Sequence, residues 1–165
     1  MQQPFADPGG GLWVVSLSEA RMMVETAILS VPVFSTLCNE AFRLRRAVFV
    51  YEQKVPEAEE FDADDLSAHH LVAVTAGEVS GTLRAIYAEE HVKIGRVAVA
   101  GRWRGQGIAA DMIGRAMELH RGARDNRFYL TAQADKLPLY ERFGFVAYGT
   151  EFLDGGMPHL AMKNY

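Results

Sequence analysis

Cysteine is nearly absent from this chain. Cys38 stands alone in 165 residues, so no disulfide can close within it, and a reducing compartment is the simple expectation. Long apolar runs are missing too, and none approaches the roughly 20 residues a membrane-spanning helix needs. Basic residues do not dominate: 17 Lys and Arg against 21 Asp and Glu leave a net charge of −4. That balance argues against nucleic acid as the main partner, because phosphate binding needs a basic face. The five histidines are scattered without ligand spacing, so no metal site is expected. The first ten residues lack a basic start followed by an apolar stretch, so no secretory leader is expected. There is no internal repeat and no low-complexity tract. A cytoplasmic protein without a membrane segment is expected, as a monomer or homodimer.

What is present suits one domain with a sizeable core: 49% of the residues are hydrophobic and 23% charged. Residues 1–21 read as an N-terminal extension, with two prolines and three consecutive glycines before Leu12 marking a mobile tail. Residues 22–165 read as a single domain. Val24 to Val31 forms a first strand closed by Pro32. Ser35 is a suitable N-cap for a helix reaching Gln53, with Leu37, Ala41, Leu44 and Val48 as its apolar stripe and Cys38 beside it as a small core residue. Then come six carboxylates within nine residues: Glu57, Glu59, Glu60, Asp62, Asp64 and Asp65. A calcium loop is excluded by their spacing and by the lack of a glycine between them. Either they form a solvated loop, or an acidic lip that attracts an amine and supplies a base.

Three apolar runs follow, His70 to Thr75, Val79 to Tyr87 and Val92 to Val99, joined by short turns that make antiparallel neighbours. Arg84 and Arg96 lie inside these strands, where an unpaired charge is costly. They point to solvent, pair with a loop carboxylate, or fork onto a substrate carboxylate. Past Val99 the chain reads Arg102-Trp103-Arg104-Gly105-Gln106-Gly107-Ile108-Ala109. Ile108, Met112, Ile113, Ala116 and Met117 then recur at helical spacing. A strand thus enters a glycine-bearing loop that opens a helix, whose first turn offers unpaired N–H groups and the positive end of its dipole to an anion. Arg102 and Arg104 add charge at the mouth. Gly105-x-Gly107-x-x-Ala110 also fits a dinucleotide fingerprint, but the next strand, Arg127 to Gln133, has no terminal carboxylate for a ribose. An ordinary turn that binds nothing is the third reading. A short helix from Leu137 to Phe143 follows, ended by Gly144. A last strand pair, Phe145 to Glu151 and His159 to Met162, is linked through Leu153 to Pro158.

The pattern Arg102-x-x-Gly105-x-Gly107 with Ala109 resembles the acyl-CoA loop of the GNAT N-acetyltransferases, which holds the pyrophosphate. Leu139-Tyr140-Glu141-Arg142-Phe143-Gly144-Phe145 is similar to that family's second CoA-side motif. Val48-Phe49-Val50-Tyr51-Glu52-Gln53 and Gly156-Met157-Pro158-His159 resemble its ElaA-like branch. The resemblance runs from about Val24 to Lys163 and implies an α/β (α+β) fold, a mixed central sheet with helices on both faces. It implies acetyl-CoA as acyl donor, an amine acceptor, and direct attack in a ternary complex. It places Val97, Ala98 and Val99 along the pantetheine arm and Arg102 through Ala109 (Gln106 and Ile108 included) around the pyrophosphate. Tyr140 becomes the acid for the departing thiolate; its alternative is a core aromatic. Many family members carry a basic carboxylate on the strand before the loop, but here that strand offers Lys93, Gly95 and Arg96. Glu60, His70 and His159 remain as candidate bases. Two rivals stand beside acetyl transfer: a longer acyl donor, and a CoA-binding module without turnover.

Overall fold

A computed structural model describes residues 25–165, so the extension and Val24 lie outside the described residues. The elements are β1 (Thr26–Val31), α1 (Thr36–Arg45), α2 (Glu57–Glu60), β2 (His69–Thr75), β3 (Glu78–Tyr87), β4 (Val92–Val99), α3 (Ile108–Leu119), β5 (Phe128–Gln133), α4 (Leu137–Glu141), β6 (Val146–Asp154) and β7 (Met157–Lys163). The seven strands form one sheet in the order β1-β2-β3-β4-β5-β7-β6. Every neighbouring pair is antiparallel except β4 and β5, which run parallel.

Strand alternation sorts the sheet into two faces. Leu71, Leu83, Ile94, Leu130 and Met162 point one way and join Ile108, Met112, Ile113 and Ala116 of α3, with Tyr140 and Phe145, in one buried core. Gly81 permits the close approach of α3, since a Cβ there would come within 2.8 Å of the Met112 sulfur. The other face carries α1. His70 and Arg84 pair across β2 and β3 on that side, and Gln133 and His159 pair across β5 and β7.

The first helix departs from expectation. Ser35 does cap it, accepting from the Cys38 N–H, but after Arg45 the helix widens into a π-helix from Arg46 to Glu52. Its buried residues are Cys38, Ala41, Arg45 and Val48, whereas Leu37 and Leu44 are only half-buried. The final hairpin is also tighter than expected. Its strands continue to Asp154 and restart at Met157, leaving only Gly155 and Gly156 as the turn. Both glycines have positive φ, as a two-residue hairpin turn demands.

Arg45 explains the acidic stretch. Its guanidinium, 1% exposed, donates to Glu60 Oε1 (2.6 Å), Asp65 Oδ1 (2.6 Å) and the Glu60 carbonyl (2.8 Å). Arg84 adds bonds of 2.7 Å to Asp65 and to both Asp62 oxygens. The rings of Phe42 and Phe61 lie 5.2 and 4.9 Å from the Arg45 guanidinium carbon. Glu57, Glu59, Asp62 and Asp64 are exposed, as in a solvated loop, but Glu60 and Asp65 are buried and, with Asp62, are tied to buried arginines rather than forming a free acidic lip. Burial pushes the Asp65 carboxyl up, but the hydrogen bonds and charges of Arg45 and Arg84 outweigh it and bring the pKa to about 2.

Asp65→Asn leaves two buried guanidinium groups short of an anion and is expected to cost about 3 kcal/mol, read as a lower urea midpoint. Because the folded pKa is depressed, the stabilisation from Asp65 is complete above the ordinary carboxylate range near 4. It fades as pH falls from about 4 towards about 2, and this acid limb is missing from Asp65→Asn.

Candidate active site

The parallel contact between β4 and β5 lasts two residue pairs, Val92 with Phe128 and Lys93 with Tyr129. From Ile94 onward β4 has no strand partner on that side among the described residues. On its other edge the register breaks, because Gly95 pairs with Arg84 and Ala98 with Thr82. Arg96 and Val97 thus stand against Leu83 alone, a bulge in which Arg96 takes a φ of 53°. Backbone groups at residues 94–99 are left facing the gap. A cleft of about 700 Å³ fills it, lined by β4 from Lys93 to Val99, by Thr131 and Gln133 of β5, and by Trp103, Gly105, Gly107 and Ala109 at one end.

At that end the loop has the form an anion site requires. Gly105 and Gly107 have φ of 75° and 87°, and Gly107 caps α3 from the left-handed region. The first helical bond runs from the Asp111 N–H to the Gly107 carbonyl. The N–H groups from Gly105 to Ala110 find no acceptor among the described residues. The buried Trp103 indole N–H likewise lacks one there. The loop thus fits a pyrophosphate through its backbone. The arginines are placed differently from the expectation. Arg102 is outside the cleft and ion-paired with Glu78. Arg104 turns back to the Val99 carbonyl (2.9 Å) and grips both oxygens of Glu52 (2.6 and 2.8 Å). Carboxylates of β3 and the π-helix neutralise both charges, so the mouth is less positive than its sequence suggests. Gln106 and Ile108 do not line the cleft; Ile108 is buried in the core.

Tyr140 reaches the cleft from α4, on the α3 face. Its ring packs edge-on to Phe145 (6.3 Å), and its hydroxyl has no partner among the described residues. Burial pushes its pKa up to about 12. The ring is in the core, as the core-aromatic reading has it, and the residue also lines the cleft.

The candidate bases separate on the α1 face. Glu60 lines the cleft but is 3% exposed, with Oε1 on Arg45 and Oε2 3.0 Å from the Arg96 Nε. Burial raises its pKa against the pull of those arginines. His70 is buried outside the cleft, its Nε2 2.8 Å from the Asp65 carbonyl and its ring edge-on to Phe42. His159 lines the cleft beside Gln133. Arg84 and Arg96 also reach it, but Arg84 is held by Asp62 and Asp65, and Arg96 by the carbonyls of Glu59 and Glu60. They form a charged wall whose cations are already engaged. Gln53 and Gln133, to which the sequence reading gave no site role, also line the cleft, and Gln53 accepts a 3.0 Å bond from Gln133. The alternation of Phe128, Leu130 and Ala132 with Tyr129, Thr131 and Gln133 was the available signal for Gln133.

Residues 32–165 match the family model described as an acetyltransferase (GNAT) domain. YjcF of Bacillus subtilis, an uncharacterised N-acetyltransferase, is 35% identical over 128 residues, covering 75% of this chain and 89% of its own. The crystal structure of an acyl-CoA N-acyltransferase from Pseudomonas aeruginosa superposes with a TM-score of 0.75 at 34% identity, covering 86% of this chain and 99% of that one. That of Escherichia coli ElaA gives 0.75 at 29% identity, covering 86% and 100%. With a sheet that parts beside a helix start whose amides are unpartnered among the described residues, and with these likenesses, the chain belongs to the GNAT acetyltransferase family and has the mixed-sheet fold of its acyl-CoA N-acyltransferases.

Proposed function

We propose that the protein moves an acetyl group from acetyl-CoA to a primary amine of a small molecule or protein, by direct attack in a ternary complex. The observation that carries this reading is the opened β4–β5 gap, with unpartnered helix-start amides at one end and the Tyr140 phenol in its wall. The amides of residues 105–110 would hold the pyrophosphate. The open edge of Val97, Ala98 and Val99 would take the pantetheine arm as an added strand would be taken, with an N–H polarising the thioester carbonyl. A short acyl group is favoured by the wall opposite. A long alkyl chain laid on Arg84, Lys93, Arg96 and Glu60 would strip water from charges and give nothing back. The α1 face is where the amine would enter.

With a pKa of about 12, Tyr140 stays protonated at any working pH. An unperturbed thiol lies near 8.5, so complete transfer from phenol to thiolate runs uphill unless the same burial raises the thiol as well. The role that fits is a hydrogen-bond donor to sulfur as negative charge develops there.

Ala109→Glu tests the cradle without straining a glycine. A carboxylate in the first turn of α3 favours the helix, so thermal stability should hold, while CoA affinity falls by about tenfold or more, read by calorimetry. Unchanged CoA affinity would remove the cradle.

Tyr140→Phe keeps the packing on Phe145 and removes the donor. Turnover of acetyl-CoA should fall by about 10²-fold, with its dissociation constant little changed. The loss should shrink for a donor with a better leaving thiol. A variant as fast as wild type, under conditions where chemistry limits the rate, excludes the phenol from the reaction.

A further inference from the structure

We propose that His159, through Nε2, is the base that takes the proton from the acceptor amine. This rests on the acyl-transfer reading above and names the residue that reading leaves open. The His159 Nδ1 lies 2.9 Å from the Met157 carbonyl. A carbonyl only accepts, so Nδ1 carries the hydrogen and Nε2 of the neutral ring holds the lone pair. Nε2 has no hydrogen-bond partner among the described residues and is not sealed from solvent, although the residue is only 9% exposed.

The ring is held from three sides. His159 pairs with Gln133 on one flank and Phe152 on the other, and it stacks on the Phe152 ring at 6.1 Å and 27°. The Met157 bond fixes its tilt. The other candidates on this face are placed out of reach: both Glu60 oxygens are engaged by arginines, and His70, whose Nε2–H donates to the Asp65 carbonyl, is buried outside the cleft. Asp135 beside the end of β5, paired with Lys136, is close enough to interact electrostatically with His159, and Asp154 of β6 and Glu52 of the π-helix, which Arg104 holds, line the same cleft.

His159 lies on the α1 face and Tyr140 on the α3 face, with the gap between them. That division suits a reaction in which one proton leaves nitrogen while charge develops on sulfur. The neutral amine nitrogen forms a bond to the acyl carbon and becomes cationic. Nε2 takes a proton from that nitrogen. The carbon–sulfur bond breaks with its electron pair on sulfur, where Tyr140 donates a hydrogen bond. The imidazolium gives its proton to solvent and the thiolate takes one from solvent, so protein and protons balance.

His159→Asn tests the assignment. The Asn amide can donate where the Nδ1 hydrogen stands, keeping the Met157 bond, but nothing replaces Nε2. Acceptors are lysine, spermidine, tyramine and an aryl amine, with CoA thiol release as the readout. The aryl amine is uncharged in the neutral range, so any acidic limb of its kcat/KM profile reports the protein. The expected result is a fall of about 10²-fold or more in kcat, loss of that limb, and CoA affinity within about twofold of wild type. Imidazole added to His159→Ala should restore part of the rate. Independently of turnover, ¹⁵N NMR of the imidazole in the free protein should show the Nδ1–H tautomer. An Nε2–H tautomer, or wild-type rate and pH profile in His159→Asn, overturns the assignment and leaves acyl transfer standing. A wild type that binds CoA and acylates none of the amines overturns acyl transfer itself, and this assignment with it.

Discussion

The separation of β4 from β5 is the constraint on which the rest of the molecule depends. Two parallel strands that pair for only two residue pairs leave a run of backbone donors and acceptors unmatched along residues 94–99, in the middle of a seven-stranded sheet. Buried backbone groups in that condition need partners, and a ligand with its own amides can supply them. The core on the α3 face keeps the gap from collapsing: Ile94, Val97, Leu130 and Ala132 are anchored against α3 and α4. The loop that leaves β4 then delivers the start of α3, and its unpartnered amides, to the end of the same opening.

The opposite side of the opening is set by charge. An L-residue in the left-handed region, as Arg96 is at the β4 bulge, costs about 1 kcal/mol or more and persists only where its surroundings require it. Its guanidinium donates to the carbonyls of Glu59 and Glu60, and its Nε lies 3.0 Å from the Glu60 carboxylate, which Arg45 grips from the other side. The bulge, the 57–66 segment and the end of α1 are therefore one connected network. Buried ion pairs of this kind seldom add net stability over apolar packing. What they supply here is position: a segment rich in carboxylates is held against the cleft with few of its charges free.

Residues whose pattern is local were readable in the sequence. The α3 periodicity, the Gly105 and Gly107 loop and the short turns of the meander each follow from spacing within a dozen residues, and the structure places them as expected. Arg45 was not read, although it sits four residues after Ala41 on the buried stripe, because its anions lie 15 and 20 residues away. The same separation misled the reading of the acidic stretch. Arg102 and Arg104 looked available because Glu78 and Glu52 become their neighbours only in three dimensions. The link was read as Leu153 to Pro158, whereas Gly155-Gly156 alone makes the turn. Pro158 stands near the start of β7, where it pairs with Leu153 on one side and β5 does not yet pair on the other, so it leaves the ladder intact.

The depth of Tyr140 bears on how the two faces share the chemistry. Burial that lifts the phenol to about 12 makes it a poor proton source but costs little as a hydrogen-bond donor, because a neutral hydroxyl survives burial where a charge would not. Sulfur departing into the same apolar surroundings gains more from that single donor than it would in water. The amine faces the opposite problem. It must shed charge, and the wall it meets has Arg84 and Arg96 already held by Asp62, Asp65 and Glu60, so its carboxylates are engaged by arginines rather than open to the amine. In the proposed reaction a base is needed for the proton released from the amine as the new bond forms. A neutral imidazole with a free lone pair meets that need without placing another anion among arginines, and a carboxylate engaged by two of them does not.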